Sequence, residues 1–139
     1  MHIFFVTQYD PLNPAAGGPV YKVRALSDHL ARRGHSVAII AAAAGKHFTN
    51  DNQLHVREMD GRVNVIRLRT LCRYRAVTIN PAVWLVARRE MPRADVVHLL
   101  GFYDLLGPVV ARVARAHHVP YVLEPMGMLT PIIRSLRKK

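Results

Sequence analysis

Apolar residues in this chain come in short unbroken runs separated by amphipathic stretches. HIFFV (His2–Val6), SVAIIAA (36–42), ADVVHLL (94–100) and VPYVLE (119–124) are apolar almost throughout, as strands buried on both faces of a parallel sheet would be. Between the first two, Val20, Val23, Leu26 and Leu30 fall at helical spacing, while Lys22, Arg24, Asp28, Arg32 and Arg33 point elsewhere, and Gly34 supplies a C-terminal stop. The stretch before that helix holds Pro11, Pro14, Gly17, Gly18 and Pro19 and is expected to be a loop. LHVREM and RVNVIRLR alternate around Asp60-Gly61, which predicts a hairpin.

The remaining elements follow the same logic. TLCRYRAVTINP (70–81) is expected to be loop, and Ala82–Met91 a short helix ended by Pro92. The stretch 103–118 is amphipathic, with its regular part placed after Gly107-Pro108, and PIIRSLRKK (131–139) looks like the start of a helix. His117 and His118 close the preceding helix, where positive charge is favoured. Strands alternating with helices predict an α/β, Rossmann-like, open and mostly parallel sheet with helices on both faces. One domain, residues 1–139, accounts for the chain, with no repeat, linker or low-complexity segment.

Composition adds a charge. Half of the 139 residues are apolar, but 20 Lys+Arg stand against 9 Asp+Glu, a formal net charge of +11. Such a surface attracts phosphates, whether in nucleotide ligands, anionic lipid or nucleic acid. Arg67, Arg69, Arg73 and Arg75 cluster around Tyr74 but match no nucleic-acid motif, so a solvated charged loop is the simpler expectation. The lone Cys72 excludes an internal disulfide and a cysteine-based zinc site. No secretory n-region precedes HIFFV, and no apolar run approaches the roughly 18 residues of a membrane span. These features point to the cytoplasm, with peripheral contact at the inner face of the membrane also compatible with the charge.

In such a sheet, ligands bind beyond the carboxyl ends of the strands. Three loops qualify: the one after Val6, the one after Leu100, and EPMGML (124–129) after Leu123. Gly17 and Gly18 open a helix, where free backbone N–H groups and the dipole favour a phosphate. The segment is not a dinucleotide fingerprint, because no third glycine follows and the second strand ends in alanines instead of an acid. G-K-[ST] is absent, which excludes a P-loop, and the eight histidines show no metal-ligand spacing. His98, alone in an apolar strand, suits a hydrogen-bonded core position as well as a site.

The order of these features resembles a known family. GGP, then LARRGHSVAII, then ADVVHLLGFYDLLGPVVARVARAHHVPYVLEPMGML, is similar to the N-terminal, acceptor-side domain of retaining GT-B glycosyltransferases of the group 1, family 4-like set. The resemblance implies transfer of a sugar from a nucleotide-diphosphate sugar to an acceptor hydroxyl with retention, the donor's own phosphate assisting. It implies that Gly17 and Gly18 approach the donor diphosphate. It places Tyr21, Lys22, His98, Gly101, Tyr103, Glu124, Met126 and Gly127 beside the acceptor or sugar, with Glu124 and His98 as the catalytic candidates. Many members carry histidine where Met126 stands, and methionine cannot donate a hydrogen bond or move a proton. No cofactor or metal is implied, the nucleotide-sugar being a substrate. The donor-binding domain lies outside these residues, so the resemblance implies a domain incomplete alone, completed by a C-terminal half or by a second copy. A non-enzymatic self-associating or sugar- or nucleotide-binding module is the alternative, and a nucleic-acid binder the remote one.

Overall fold

The structure, a computed structural model, describes residues 1–11, 13, 17–44, 47–74, 77–101 and 104–126. The helix expected over 131–139 lies outside them, as do Tyr103, Gly127 and Arg75. Eight strands and three α-helices occur among the described residues: β1 (His2–Thr7), α1 (Gly18–Arg32), β2 (Ser36–Ala43), β3 (His55–Asp60), β4 (Val63–Arg69), β5 (Cys72–Tyr74), β6 (Val77–Ile79), α2 (Val83–Glu90), β7 (Val96–Leu100), α3 (Leu106–Ala116) and β8 (Tyr121–Glu124). A 3-10 turn, Met91–Arg93, follows α2.

Six strands form one sheet in the order β3-β4-β2-β1-β7-β8. All neighbours pair in parallel except β3 and β4, whose antiparallel hairpin turns at Gly61, as Asp60-Gly61 predicts. Side chains alternate along each strand and so sort into two layers. Ile3, Phe5, Val37, Ile39, Ala41, Val63, Val65 and Leu100 face α1, which adds Val23 and Ala31. Phe4, Val6, Ala38, Ile40, Ile66, Leu68, Val97 and Leu99 face α2 and α3, which add Val86, Ala87, Val110 and Ala114. This is the expected α/β, Rossmann-like arrangement with helices on both faces.

Four local expectations change. The stretch 70–81 is not all loop: Cys72–Tyr74 and Val77–Ile79 pair as a small antiparallel ribbon. Asn80, buried, ties its base down by donating from Nδ2 to the Leu68 and Arg69 carbonyls at 3.1 and 3.0 Å. The helix α3 starts at Leu106, so Gly107 and Pro108 lie inside its first turn, where a proline's missing N–H breaks no helical bond. Asp104 accepts from the Gly107 N–H at 3.0 Å and caps that turn. The third change concerns β8, which forms the sheet's edge with Tyr121, Val122 and Leu123 exposed, although its apolar run predicts a buried strand. Finally, Arg67 and Arg69 do not belong to a solvated loop: both lie on β4, Arg67 is fully buried, and Arg69 pairs with Asp51 at 2.7 Å.

Candidate functional site

The chain builds outward from β1 in two directions, to β2 and β4 on one side and to β7 and β8 on the other. The boundary between β1 and β7 is therefore the switch point, where a doubly wound sheet leaves a crevice at its carboxyl edge. The loop after β1 leads from there to Gly17, and Gly101 follows β7.

Strand alternation sets what reaches that edge. Leu100 faces α1, so His98, two residues earlier, does too, and Glu124 follows because it pairs in register with Leu100. Lys22, on the second turn of α1, closes the group: its Nζ donates to Glu124 Oε1. His98 Nε2 lies 3.0 Å from Glu124 Oε2, an ion-pair distance without hydrogen-bond alignment. Its ring sits against Phe5, with centroids 5.4 Å apart. The hydrogen bond from Lys22 lowers the Glu124 pKa, and the charges of Lys22 and His98 add to it against some desolvation. Glu124 is thus a carboxylate at neutral pH, suited to accept hydrogen bonds and unsuited to act as a general acid.

The glycines occupy the same end. Gly18 and Lys22 are four residues apart on α1 and share a helix face. Lys22, which reaches β8, stands one turn beyond Gly18 on that face. A Cβ built at Gly18 would meet nothing within 4 Å. Gly17 caps α1 at φ 72° and ψ −150°, a conformation open essentially only to glycine. No acidic residue stands in the first turn of α1, so the positive end of the helix is not neutralised by its own side chains.

Of the remaining expected site residues, Tyr21 is exposed beside Lys22. Gly101, at φ 86°, donates its N–H to the Glu124 carbonyl at 2.8 Å, locking the ends of β7 and β8 together. Met126, at φ 51°, packs against the α1-side core, so its side chain serves packing in this structure. His117 caps the end of α3 through its backbone N–H. Among the described residues, no group of three His, Cys, Asp or Glu side chains is placed to hold a metal.

Sequence reasoning missed a neighbouring feature. On the far side of β1, a cavity of about 400 Å³ opens over the ends of β2 and β4, lined among others by Gln8, Asp10, His47, Leu71 and Arg73. Gln8 is 3% exposed and its Oε1 has no hydrogen-bond partner among the described residues. Beneath the cavity, Arg67 Nε donates to Asp10 Oδ2 at 3.0 Å and Nη1 to Glu58 Oε2 at 2.6 Å, and His47 Nε2 lies 3.0 Å from the same Asp10 oxygen. The signal was present as two polar residues, Gln8 and Asp10, directly after a buried strand.

Residues 17–138 match the glycosyl transferase 4-like domain. The chain belongs to that family. The match agrees with the motif order that resembles group 1, family 4-like GT-B enzymes, and it spans both glycines of the α1 start and all of the β7–β8 edge. No curated protein matches the chain. Two solved structures are similar to this glycosyl transferase 4-like domain. One is the E. coli trehalose-6-phosphate structure bound with UDP-2-fluoro glucose, at 13% identity and a TM-score of 0.49, covering 99% of this chain and 37% of that one. The other is the OtsA apo structure, at 14% identity and a TM-score of 0.49, covering 99% and 38%. The chain spans less than two fifths of the length of either.

Proposed function

We propose that this glycosyl transferase 4-like domain forms the acceptor-side wall of a retaining sugar-transfer site. The sugar moves from a nucleotide-diphosphate donor to an acceptor hydroxyl. The observation that carries this reading is the meeting of Lys22, His98 and Glu124 at the carboxyl edge, one turn along α1 from Gly18.

The roles follow from the chemistry. Gly17 and Gly18 let the donor diphosphate approach the backbone at the positive end of α1. Lys22, held by Glu124, adds a positive charge one helical turn further on. Glu124, kept ionised, accepts a hydrogen bond from a sugar or acceptor hydroxyl and orients it. His98 stands 3.0 Å from the second carboxylate oxygen. A carboxylate with a lowered pKa is a poor proton acceptor, which suits a reaction in which the donor's own phosphate takes the acceptor's proton. Gly101 and the packed Met126 hold the two strand ends that present Glu124. The neighbouring cavity at Gln8 gives the body of the acceptor room.

In this reading the domain supplies little of the donor pocket, and a donor-binding domain faces it across the cleft, in the same polypeptide or in a partner. Sugar transfer is therefore measured with and without such a domain, for the native sequence and for Gly18→Val and Glu124→Gln. Turnover is expected only with the donor-binding domain. Gly18→Val is expected to raise the donor KM and Glu124→Gln to lower kcat, both without loss of fold, since Gly18 borders open space. Robust turnover by the isolated domain overturns the half-site reading. Unchanged kinetics in both variants overturns the assignment of the site.

A further inference from the structure

The layer formed by α2 and α3 has an outward face with an unusual composition. On α2, Trp84, Leu85, Arg88 and Arg89 are exposed, while Val83, Val86, Ala87 and Glu90 are buried. Trp84 is 45% exposed and Leu85 63%. The following turn adds exposed Arg93, and α3 adds exposed Arg112 and Arg115, with Leu105, 49% exposed, at its start. The two helices pack against each other, so these residues lie on one continuous layer.

Two properties separate this face from an ordinary solvated surface. First, none of the exposed residues on α2, the turn or α3 is acidic. Glu90 on α2 and Asp104 before α3 are buried, Glu90 paired with Arg57 and Asp104 capping α3, while exposed Asp95, two residues past the turn, accepts from the His2 N–H. Among the described residues, Arg88, Arg93, Arg112 and Arg115 have no carboxylate partner, and Arg89 has only Glu90 at 3.9 Å. On the opposite face, Arg24 pairs with Asp60 and Lys22 with Glu124, while exposed Arg32 has no carboxylate partner among the described residues. Second, large apolar side chains stand among these arginines. Both helices run from the carboxyl edge of the sheet back toward its amino edge, as crossovers between parallel strands must. Trp84, Leu85 and Leu105 therefore gather at the carboxyl-edge end of the layer, and the arginines spread from there toward the other end.

We infer that this α2–α3 face docks on an anionic lipid surface. Indole and leucine side chains suit the boundary between headgroup and acyl chain, and arginines with no internal partner suit lipid phosphates. Nucleic acid would use the arginines but gains nothing from buried leucines. The docked face places the carboxyl edge, where the candidate transfer site lies, next to the membrane.

The chain carries a single tryptophan, so its emission reports on Trp84 alone. The full chain is titrated with vesicles of phosphatidylcholine, with and without about a third of phosphatidylglycerol, and partitioning is measured by co-sedimentation. Emission is expected to shift to shorter wavelength with the anionic vesicles only, and binding is expected to weaken as salt rises. Each arginine replaced in Arg88→Gln/Arg112→Gln is expected to lower partitioning about fivefold. Leu85→Ser is expected to lower it on the order of tenfold with the fold unchanged, since the residue is 63% exposed. Absence of binding, equal binding to neutral vesicles, or binding with no change in Trp84 emission overturns the proposal. So does stronger binding to duplex DNA through the same arginines.

Discussion

Charge is handled in opposite ways on the two sides of β1. Toward β2 and β4 it is buried: Arg67 is 0% exposed and is held by Asp10 and Glu58. Toward β7 and β8 it stays within reach of water, where Lys22 and His98 hold Glu124 at the surface end of the sheet. Both clusters sit at the carboxyl edge, and in both a base meets an acid far away in sequence, Arg67 with Asp10 and Lys22 with Glu124. The difference lies in what surrounds them, and it separates a fixed ionic scaffold from a group that a ligand can rearrange. A buried pair costs much desolvation and cannot lose one partner cheaply, whereas an exposed pair exchanges partners with water at little cost.

The largest effect tests the buried side. Arg67→Ala leaves Asp10 buried without its main cation, and is expected to lower stability by about 3–5 kcal/mol. Urea denaturation followed by far-UV circular dichroism measures it. A loss below about 1 kcal/mol would show that the Arg67 cluster relaxes as freely as the Lys22 cluster, and the contrast between the two sides would vanish. Arg67 Nη2 is buried without a hydrogen-bond partner among the described residues, so the arginine's own desolvation is incompletely compensated. Arg67→Met is accordingly expected to cost less than Arg67→Ala when combined with Asp10→Asn, because a half-removed ionic group is worse than none.

An intermediate effect separates burial from pairing. Asp104 is buried like Asp10 but has backbone partners in place of a cation, and burial raises its pKa against the hydrogen bonds from Gly107 and Leu106. A raised carboxyl pKa means that the folded state takes up the proton more readily than the unfolded one. Asp104's contribution to stability is therefore greatest below the unfolded value of 3.8 and declines as pH rises through the folded value. Asp104→Asn keeps an acceptor for the Gly107 N–H and removes the buried charge, so stability at pH 7 is expected to stay level or rise. Asp104→Ala loses the cap and is expected to cost about 1 kcal/mol. Thermal melts at pH 4 and pH 7 distinguish the two: a drop in the Asn variant at pH 7 equal to that of Ala would mean that the negative charge itself supports α3.

How much of this was legible in the sequence divides along the same line. Local periodicity carried β1, α1, β2, the β3–β4 hairpin, α2 and β7, because each depends on its own residues and on one buried face. It failed at β8, whose apolar residues matched a central strand while its position at the edge depends on which strands pair. It failed at Cys72–Ile79, where three-residue strands are too short to show an alternation. The residue pattern and the resemblance of motif order offered Gly17, Gly18, His98 and Glu124 as candidates, but not their grouping. Lys22 meets Glu124 across 102 positions, a contact that exists only once β1 sits between β2 and β7. The Arg67 cluster was misjudged because arginine in a charged stretch is usually solvated. Asp10, after β1, and Glu58, on the antiparallel neighbour, are what make burial possible here.

The smallest effect falls on the exposed side and is the most direct test of the site. Lys22 is the leading cause of the lowered Glu124 pKa. A depressed carboxyl pKa contributes stability that is present above the unfolded value of 4.5 and is lost as pH falls through the folded value. Both side chains are partly open to water, so that contribution is expected to be at most about 1 kcal/mol. Lys22→Met is accordingly expected to leave stability at pH 7 nearly unchanged, while the Glu124 carboxyl titrates at higher pH by carbon-detected NMR. His98→Gln is expected to move it less, because the His98 charge ranks below Lys22 among the causes. If Lys22→Met leaves the Glu124 titration in place, the carboxylate owes its lowered pKa to something other than α1. The helix that carries Gly17 and Gly18 would then be uncoupled from the strand end that carries Glu124, and the two would no longer form one site.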